Sequence, residues 1–435
     1  MGSDHVQPVE SLYGFGAEYA LKIVDISEFY SPTSGGVRTY TEAKFLAADR
    51  LGHRLTVIAP GPEDRVETRG AGKLVWVKSP PLPFDKNYHM FWSRKPVWRI
   101  LDDEVPDFIE GSSPWRGGWI AGTWPGPAPR ALFMHADPVA VYPQTFLGNI
   151  CSPAQIDAAF GWFWSYLRRL NSRFDGTIVA GAWLAKRFAE HGLKHLHTVP
   201  FGVDIALFSA ASRSEDVRRE MLRWCGLGPE ATLLVTVGRH HPEKRIGLLI
   251  DAVTLAQRTC LVGLVIIGDG LSHERVRRKA ARAAHIHVAG RVDDRSRLAT
   301  MMASADALLH GSTAETFGFV TAEALACGTP VIVPDAGGAG DIADPAYAQI
   351  YASGNANAAA DAIVRFVTRD RSVLSGAARE AGTLIGTIDY HFDKLFSFYE
   401  KMKNLSSVRL TQAYASTSNF SQDDWEWSSN EAGIR

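Results

Sequence analysis

The sequence predicts an α/β protein built from two doubly wound units that face each other across a cleft. The chain has 435 residues, enough for two or three domains with full cores. Strand-like apolar runs alternate with helical patterns from end to end, which is typical of parallel sheets covered by helices. The alternation restarts after a linker near Gly202–Ser214. Because such sheets bind ligands outside the carboxyl ends of their strands, a ligand cleft is expected between the units.

The apolar runs of strand length are predicted strands. In the first unit they are Leu21–Ile26, Arg54–Ala59, Leu74–Lys78, Asp107–Glu110, Ala131–His135, Thr177–Ala180 and His197–Pro200, with helices such as Val37–Leu51 and Ile156–Asn171 between them. In the second unit they are Leu233–Gly238, Leu264–Gly268, Ile286–Ala289, Ala307–His310, Val331–Pro334 and Ala348–Tyr351.

The predicted organisation has five parts. They are an N-terminal extension (1–18), a first Rossmann-like domain (19–205), a second Rossmann-like domain (206–388), a last helix (389–403) and a disordered tail (404–435). The last helix is amphipathic and is expected to return to the first domain. The tail is rich in Ser, Asn and Gln, which disfavours a packed core there.

Composition excludes several classes of protein. The net charge of −1 gives no support for nucleic-acid binding. No apolar run reaches the length of a membrane span, and the polar, acidic N-terminus does not resemble a signal peptide. The four cysteines are scattered, which indicates neither a zinc site nor a disulfide framework. A cytoplasmic location is therefore predicted.

The most informative segment lies between Glu315 and Glu323 in the second unit. These two acids bracket a turn that contains Gly318, and the turn opens an Ala-rich helix that Gly328 is able to end. The start of such a helix directs free N–H groups and a positive dipole end into the cleft, where a diphosphate fits. Glu315 in the loop, and Glu323 about two turns into the helix, are placed to accept hydrogen bonds from hydroxyls. The combination predicts a nucleotide-sugar site.

A second segment supplies cations at the end of another strand. Arg239 and Lys244 follow the strand that ends at Gly238, and a helix is predicted to start near Pro242. Fixed cations at this place would stabilise the negative charge that a leaving nucleoside diphosphate gains as the glycosidic bond breaks. The alternative is a solvated loop, which the Glu315–Glu323 element disfavours.

Two features of the first unit point towards the same cleft. Gly35 and Gly36 form a paired-glycine turn before a predicted helix, which allows the backbone to approach a phosphate or a sugar. His135 closes a strand, so its imidazole is placed to hydrogen-bond the transferred sugar or to assist the acceptor. A plain turn and a structural histidine remain the alternatives at these positions.

These residues carry a resemblance that extends to about Lys403. The chain resembles the family-4 retaining glycosyltransferases of GT-B fold, which include bacterial lipid and polysaccharide glycosyltransferases such as phosphatidylinositol mannosyltransferase. The matching pieces are Gly35-Gly36-Val37, His135, Val199–Asp204, Gly238-Arg239 with Lys244, Gly290–Asp293 and the Glu315–Glu323 element. One position departs from the pattern, because Phe201 stands where the family usually has Asn.

The resemblance implies two facing Rossmann-like domains, an acceptor domain and a donor domain, and a role for each matching residue. The implied contacts are Arg239 and Lys244 with the donor diphosphate, Gly35 and Gly36 with its phosphates, Glu315, His135 and the backbone of Phe317, Gly318 and Phe319 with the transferred sugar, Glu323 with the ribose, and the backbone of Val292 with the base. The expected catalytic group is His135, Arg239, Lys244 and Glu315. The resemblance also implies retention at the anomeric carbon by same-face attack. No metal or other cofactor is expected, because side-chain cations and a helix dipole take its place.

The acceptor is expected on the first domain, where the segment 65–99 is basic and aromatic. Eight basic residues are opposed by two acids, Glu67 and Asp85. The basic residues are Arg65, Arg69, Lys73, Lys78, Lys86, Arg94, Lys95 and Arg99, and the aromatic residues are Trp76, Phe84, Tyr88, Phe91, Trp92 and Trp98. Such a segment suits an anionic membrane surface, which predicts a peripheral enzyme that glycosylates a lipid or lipid-linked acceptor on the inner face of the membrane. The alternative, core aromatics beside a solvated basic face, is preferred for a similar cluster at 160–169.

Other functions remain open. Gly338–Ala343 has the G-x-G-x-x-A pattern of a dinucleotide-binding turn, but Asp361, about 20 residues on, lies inside a predicted helix, which disfavours an oxidoreductase. A sugar-nucleotide epimerase or hydrolase of the same fold would bind the donor alone. A soluble glycosyltransferase acting on a small molecule or a polysaccharide would differ in its acceptor. The residues leave the donor open among GDP-mannose, UDP-glucose and UDP-glucuronic acid.

Overall fold

The computed structural model describes residues 21–32, 36–83, 85–148 and 150–418. Its first half contains one large sheet and a separate two-stranded hairpin. The strands of this half are β1 (Lys22–Ile26), β2 (Arg54–Gly61), β3 (Arg65–Arg69), β4 (Gly72–Lys78), β5 (Pro81–Leu82), β6 (Asp85–His89), β7 (Phe108–Gly111), β8 (Arg130–Met134), β9 (Gly176–Val179) and β10 (Leu196–Thr198). The large sheet has the order β10-β9-β8-β7-β1-β2-β4-β3, and β5 pairs with β6. All pairs in this half are parallel except β3–β4 and β5–β6.

The second half contains a fully parallel sheet. Its strands are β11 (Thr232–Val237), β12 (Val262–Ile267), β13 (Ile286–Gly290), β14 (Ala307–Leu309), β15 (Val331–Pro334) and β16 (Ala348–Tyr351). Their order is β13-β12-β11-β14-β15-β16. The strands β12, β14 and β15 are buried along their whole length, as expected for a sheet covered on both faces. The predicted fold class, two facing doubly wound α/β domains, is confirmed.

Helices fill the connections between the strands. They are α1 (Gly36–Arg50), α2 (Arg94–Glu104), α3 (Arg116–Thr123), α4 (Thr145–Leu147), α5 (Pro153–Ala159), α6 (Gly161–Asn171), α7 (Ala182–Glu190), α8 (Glu215–Trp224), α9 (Ile246–Ala256), α10 (His273–Ala280), α11 (Arg295–Ser304), α12 (Phe319–Ala326), α13 (Gly338–Asp341), α14 (Ala356–Thr368), α15 (Arg371–Thr383) and α16 (Ile388–Ser418). A π-helical turn, Ala140–Gln144, precedes α4.

Each of the predicted strands is present, with ends within two residues of the predicted ones. Strand β3 was not predicted, because its five residues include a single apolar side chain, Val66, and it lies at the sheet edge. The predicted helix Ile156–Asn171 is wrong in its bounds. Ser152 forms a capping box with Gln155, which starts α5 earlier, and the chain breaks at Phe160 before α6 begins.

The prediction of a last helix ending at Lys403 and a disordered tail from 404 is wrong for residues 404–418. These residues continue α16 to Ser418, because the segment from Ile388 to Ser418 contains neither Gly nor Pro to end the helix. The predicted extension (1–18) and the rest of the tail (419–435) lie outside the described residues.

Helix α16 packs on the first domain. Its residues Phe392, Leu395 and Phe396 are fully buried and belong to the same apolar cluster as strands β1 and β2. The hydroxyl of Tyr399 donates a hydrogen bond to Glu110. Glu110 in turn accepts a bond from the Lys44 ammonium at 2.8 Å. The chain therefore leaves the second domain and completes the core of the first.

Lys44 occupies the centre of a buried ionic cluster beneath the first domain's strands. Its ammonium lies 2.8 Å from both Asp25 and Glu110, and its side chain is completely buried. Ser112 donates to one of these carboxylates at 2.6 Å and lies 2.6 Å from the other. Burial raises the pKa of Glu110 to about 7, although Lys44 opposes the shift. The two acids are satisfied only while the lysine stays in place.

Two hydrogen bonds join the domains beside the cleft. The Thr316 hydroxyl donates to the backbone carbonyl of His135 at 2.9 Å. The Asp341 carboxylate accepts from the backbone N–H of Trp183, in the first turn of α7, at 2.5 Å. Each bond links the second domain, at the loop before α12 or at α13, to a segment that follows the carboxyl end of a strand in the first domain, so the two sheets are held with their carboxyl edges facing.

Candidate functional site

A cleft of about 730 Å³ separates the carboxyl edges of the two sheets. Its walls come from both domains. Tyr40 and His135 line it from the first, and Arg239, Glu315 and Glu323 line it from the second. The cleft therefore gathers side chains that are up to 367 residues apart in sequence, from Asp25 to Phe392.

The Glu315–Glu323 element forms as predicted around Gly318. This glycine is the N-cap of α12 with φ +86°, and a Cβ built there would lie 3.1 Å from the backbone of Ala339. Both the left-handed conformation and the close approach require glycine. Gly328, with φ +68°, follows the end of the helix. Glu323 is the fifth residue of α12, so it lies about one turn into the helix rather than two.

Glu315 is paired with Lys244 at the side of the cleft. The Lys244 ammonium lies 2.5 Å from the carboxylate, and buried His310 lies 3.7 Å from the same oxygen. Burial raises the pKa of Glu315, but Lys244, His310 and Arg239 lower it by more, so the net shift is downward. Burial also lowers the pKa of His310 to about 4. At neutral pH Glu315 is therefore a carboxylate and His310 a neutral imidazole.

The loop that carries the two cations differs from its prediction. Residues Pro242–Lys244 form one 3₁₀ turn, and the α-helix begins only at Ile246. Arg245 between them has φ +48°, outside the helical region, which separates the turn from the helix. The result is that Lys244 points back towards Glu315, whereas the exposed Arg239 lines the cleft. In the described part of the chain no carboxylate forms an ion pair with Arg239.

Glu323 forms an ion pair with Arg295 on the second domain's wall of the cleft. The guanidinium lies 3.8 Å from the carboxylate and also stacks over the ring of Phe208 at 5.5 Å. Burial raises the pKa of Glu323 to about 7, with Arg295 opposing the shift and Asp204 among the groups that support it. A carboxyl group that titrates near neutrality is able both to donate and to accept hydrogen bonds with hydroxyls.

His135 lies just after β8, at the boundary between the domains. Its ring stacks on Phe133 at 4.1 Å, and it lines the cleft. Burial lowers its pKa to about 4, although Asp25 opposes the shift, so the imidazole is neutral at pH 7. A neutral ring offers hydrogen bonds rather than charge to a ligand.

The remaining predicted residues lie in different surroundings. Gly36 lines the cleft at the start of α1, and a Cβ there would meet nothing within 4 Å, so the protein's own packing does not demand glycine at this position. Phe319 lines the cleft, and Phe317 is buried beside it with the ring centroids 5.1 Å apart. Val292 is half-buried among apolar residues of the second domain and is not one of the residues that line the cleft. Gly35 lies outside the described residues.

Models of two families match the chain. The model described as Glycosyltransferase Family 4 matches residues 34–207, and the model described as Glycosyl transferases group 1 matches residues 231–369. Each match covers most of one of the two sheets. The linker between the matches includes the 3₁₀ turn Ala210–Ser212 and helix α8.

Two similar relatives come from Mycobacterium tuberculosis. A GDP-mannose-dependent alpha-mannosyltransferase is 30% identical over 330 residues, which are 75% of this chain and 82% of the relative. The chain belongs to the family-4 glycosyltransferases of GT-B fold. A GDP-mannose-dependent alpha-(1-6)-phosphatidylinositol dimannoside mannosyltransferase is 28% identical to this glycosyltransferase over 315 residues, 72% of this chain and 79% of the relative.

Solved structures share the fold of this glycosyltransferase. Sucrose-phosphate synthase from Thermosynechococcus elongatus has a TM-score of 0.68 at 19% identity, over 88% of this chain and 98% of that one. Anabaena HepE in complex with UDP-glucose has a TM-score of 0.59 at 17% identity, over 90% of this chain and 100% of that one. At these identities the likeness concerns the fold.

The glycine pattern at Gly338–Ala343 has a packing role in the glycosyltransferase. A Cβ on Gly338 would lie 2.5 Å from the backbone nitrogen of Phe317, so this glycine lets α13 approach the Glu315–Glu323 element. Asp361 lies inside α14, as the sequence predicted. The close packing of α13 against the Glu315–Glu323 element therefore explains Gly338, and the position of Asp361 inside a helix disfavours a dinucleotide-binding site.

Sequence reasoning missed several side chains that line the cleft of the glycosyltransferase. Arg295 was missed because it begins a helix three residues after Val292, outside the quoted motif. Phe201 was noted as a departure only. Its ring lies 5.5 Å from Tyr40, 5.7 Å from Phe317 and 5.0 Å from Phe319, which joins aromatic residues of both domains. The aromatic character of the linker was the one available signal.

Two features are absent from the described residues of the glycosyltransferase. No helix within them is both long and apolar enough to span a bilayer. In the same part of the chain no group of three or more His, Cys, Asp or Glu side chains has a geometry that would hold a metal ion.

Proposed function

We propose that this glycosyltransferase transfers a hexose from a nucleotide-diphosphate sugar to a lipid or lipid-linked glycan, with retention at the anomeric carbon. One observation carries the proposal. Arg239, Glu315 and Glu323 line one interdomain cleft, and Lys244 contacts Glu315 at its side. Two cations and two acids at the carboxyl edge of a parallel sheet match a diphosphate flanked by two hydroxyl-bearing sugars.

The donor we favour is GDP-mannose. Of the three donors compatible with the residues, it is the one named for both relatives from Mycobacterium tuberculosis. UDP-glucose and UDP-glucuronic acid remain the alternatives to exclude by measurement. In this assignment Glu323 binds the ribose, Glu315 and His135 bind the hexose, and the backbone of Phe317–Phe319 lies beside it. We keep Gly35 and Gly36 at the phosphates, and we keep the backbone of Val292 at the base although the residue packs against the second domain's core and does not line the cleft.

The proposed chemistry is a same-face substitution. The bond between the anomeric carbon and the diphosphate oxygen breaks, and the acceptor oxygen forms a bond to that carbon on the same face. The acceptor proton passes to the departing phosphate oxygen. Negative charge therefore grows on the diphosphate before the proton arrives, and fixed cations at Arg239 and Lys244 would lower the barrier by stabilising it. Glu315 and neutral His135 would hold the hexose without adding a competing positive charge.

We also propose that transfer requires no metal ion, because Arg239, Lys244 and the N-terminus of α12 supply the positive potential that a metal would supply elsewhere. Activity is then expected to survive dialysis against EDTA unchanged. Restoration by added Mg²⁺ or Mn²⁺ after a loss in EDTA would contradict this part of the proposal.

The acceptor is the least constrained part of the reaction. A lipid is favoured because one relative is named for phosphatidylinositol dimannoside, and because the basic and aromatic segment 65–99 retains exposed Trp92, Arg94, Lys95 and Arg99. Buried Trp76 and Phe91 belong to the core, so the aromatic part of that predicted surface is smaller than expected. We place the enzyme in the cytoplasm, at the inner face of the membrane.

The test uses radiolabelled GDP-mannose, UDP-glucose and UDP-glucuronic acid, each with phosphatidylinositol vesicles. Label that enters the organic phase with one donor supports transfer to lipid, and the anomeric configuration of the product, read by NMR, tests retention. Free labelled sugar in the aqueous phase with every acceptor would instead favour a hydrolase. An isomerised nucleotide sugar would favour an epimerase. Thermal-shift measurements with GDP and UDP establish beforehand which nucleotide binds.

A further inference from the structure

A basic and aromatic surface lies beside the cleft on the first domain. Trp92, Trp115 and Trp162 have exposed fractions of 71%, 37% and 67%, and they are the exposed tryptophans of the described residues. They come from three separate segments: the loop before α2, the residue before α3, and the first turn of α6. We name the surface formed by these tryptophans and their neighbouring cations the tryptophan surface.

Contacts on the surface join the three tryptophans into one patch. The Arg116 guanidinium, next to Trp115 in sequence, donates to the backbone carbonyl of Trp92 at 2.5 Å. Phe163 lies between the other two, with its ring centroid 5.6 Å from Trp115 and 5.6 Å from Trp162. Arg116 and the buried ring of Phe163 therefore hold the three segments together, although 70 residues separate Trp92 from Trp162 in sequence.

Cations that form no ion pair lie close to Trp92 and Trp115 in sequence. Arg94, Lys95 and Arg99 on α2 and Arg116 on α3 are all exposed, and none of them forms an ion pair with a described carboxylate. Arg94 stacks over the ring of Trp98 at 4.4 Å, and Trp98 bonds to the carbonyl of Ile120 in α3, which fixes α2 against α3. The exposed acids of α2, Asp102 and Asp103, lie about two turns beyond Arg94 and Lys95, and about one turn beyond Arg99.

The surface meets the cleft at Trp115. This residue and Pro114 line the cleft, and so do Tyr142 and Val141 on the π-helical turn. Tyr142 is exposed, as is Phe146 in the next helix. An apolar path therefore runs from the exposed tryptophans to the acceptor side of the cleft. A molecule with an apolar body and a polar head would keep its apolar part covered along this path.

We propose that the tryptophan surface binds the interface of an anionic phospholipid bilayer and holds the cleft mouth against it. Tryptophan rings prefer the headgroup region, where one edge is apolar and the other is hydrated, and unpaired cations are attracted to anionic lipids. The proposal deepens the proposed function, on whose lipid acceptor it rests. It replaces a continuous segment, 65–99, by a surface assembled from three elements, with Arg116 and Trp162 outside that segment.

Vesicle co-sedimentation tests the proposal with the full-length protein. The probes are vesicles of an equal mixture of phosphatidylcholine and phosphatidylglycerol, and vesicles of phosphatidylcholine alone. Binding to the mixed vesicles is expected, with a loss as salt is raised because the cations are exposed. Lys95→Gln/Arg99→Gln is expected to weaken binding by about 25-fold, since each cation near such a surface contributes about fivefold. Trp92→Ser/Trp162→Ser is expected to weaken it by at least about tenfold.

Matched variants on the second domain serve as controls. Arg275→Gln/Arg282→Gln removes two exposed cations there, and Leu271→Ser/Leu384→Ser removes two of the most exposed apolar side chains, with exposed fractions of 85% and 83%. Both controls are expected to bind the mixed vesicles like the unaltered protein. Equal losses in the control and the test variants would overturn the proposal, and so would the absence of binding at low salt.

Two further measurements separate the remaining explanations. Nucleotide binding, measured by calorimetry with GDP and UDP, is expected to be the same in all variants, because none of the substituted residues lines the cleft. A protein that binds vesicles but neither nucleotide would refute the proposed function, whereas the membrane-binding role of the tryptophan surface would still hold. Sedimentation equilibrium reports the mass of the protein alone. A dimer that the Trp92→Ser/Trp162→Ser variant dissociates would assign the surface to a second copy of the chain and overturn the membrane proposal.

Discussion

The ammonium of Lys244 lies 2.5 Å from the carboxylate of Glu315, although 71 residues separate them in sequence. Both side chains are largely buried, with exposed fractions of 17% and 14%. Each therefore satisfies the other in the absence of a ligand. A diphosphate that binds Lys244 must share it with Glu315, so the two residues are expected to act as one unit in folding and in donor binding.

The first prediction concerns removal of the lysine. Lys244→Met leaves Glu315 buried without its partner, so the free energy of unfolding should fall by about 3 kcal/mol in urea denaturation. Nucleotide affinity, measured by calorimetry, should fall about 10- to 100-fold because a charged hydrogen bond to the diphosphate is lost.

The double variant Lys244→Met/Glu315→Gln separates the two effects. It should recover most of the stability, because no buried charge remains unpaired, and it should keep the loss of nucleotide affinity. Recovery of affinity together with stability would show that Lys244 acts through the fold alone.

A second prediction follows from the depressed pKa of Glu315. Burial raises this pKa, yet Lys244, His310 and Arg239 lower it below the ordinary value of 4.5. The stability that the carboxylate contributes is therefore present above pH 4.5 and is lost as the pH falls through the lower, folded-state pKa. The difference in unfolding free energy between the unaltered protein and Glu315→Gln should be constant near neutrality and shrink in acid. A pH-independent difference would contradict the assignment.

Glu323 should show the opposite dependence. Burial raises its pKa to about 7, so the stability contributed by the protonated form is complete below pH 4.5 and is lost as the pH rises through about 7. Hydroxyls bond more strongly to a carboxylate than to a carboxylic acid. Nucleotide affinity should therefore increase as the pH rises through 7, and Glu323→Gln should remove this increase. GDP affinity should be measured by calorimetry for the unaltered protein and for Glu323→Gln at each pH. The difference between the two proteins removes the contribution from titration of the nucleotide itself.

Arg239 provides a contrast with Lys244. It is exposed and forms no ion pair among the described residues, although it helps to lower the pKa of Glu315, so Arg239→Gln should reduce the melting temperature far less than Lys244→Met. Nucleotide affinity should fall about 10- to 100-fold, because the arginine is free to contact the diphosphate. Arg282→Gln, which removes an exposed cation remote from the cleft, is the matched control. A similar loss of affinity in this control would point to long-range charge rather than to contact.

The buried cluster around Lys44 predicts a large effect on stability. Lys44→Met leaves Asp25 and Glu110 side by side without a cation, so the free energy of unfolding should fall by about 3 to 5 kcal/mol. Chemical denaturation at neutral pH measures the loss. The loss should be smaller in acid, because protonation of the two acids removes their repulsion. The variant Lys403→Met, which removes a partly exposed ion pair with Asp107, should lose about 1 kcal/mol or less.

Much of this architecture follows from local sequence signals. The strands were predicted because buried parallel strands read as continuous apolar runs, and Gly318 and Gly328 marked the ends of α12 because few other residues adopt their backbone conformations. The polar strand β3 escaped prediction because its pairing with β4, and not its composition, makes it a strand.

The candidate site was predictable only where a motif names its residue. Arg239, Lys244, Glu315 and Glu323 belong to short patterns, whereas Arg295 reaches the cleft through the packing of α11. The pair of Lys244 with Glu315 required the 3₁₀ turn Pro242–Lys244, which redirects the lysine and which no local rule specified. Long-range contacts of this kind, such as that of Tyr399 with Glu110, are fixed by the whole fold.

The return of α16 to the first domain has a consequence for synthesis. Phe392, Leu395, Phe396 and Tyr399 fill a core whose other buried members lie in the first 203 residues of the chain, apart from Phe317 and Ala322. During translation, the N-terminal domain therefore has an open apolar groove until residues 392–399 have emerged from the ribosome. The buried core of the second domain contains no residue of α16, so this domain is able to fold first. The order of folding would thus run against the order of translation, and a nascent chain stalled before residue 390 would expose an apolar groove to chaperones.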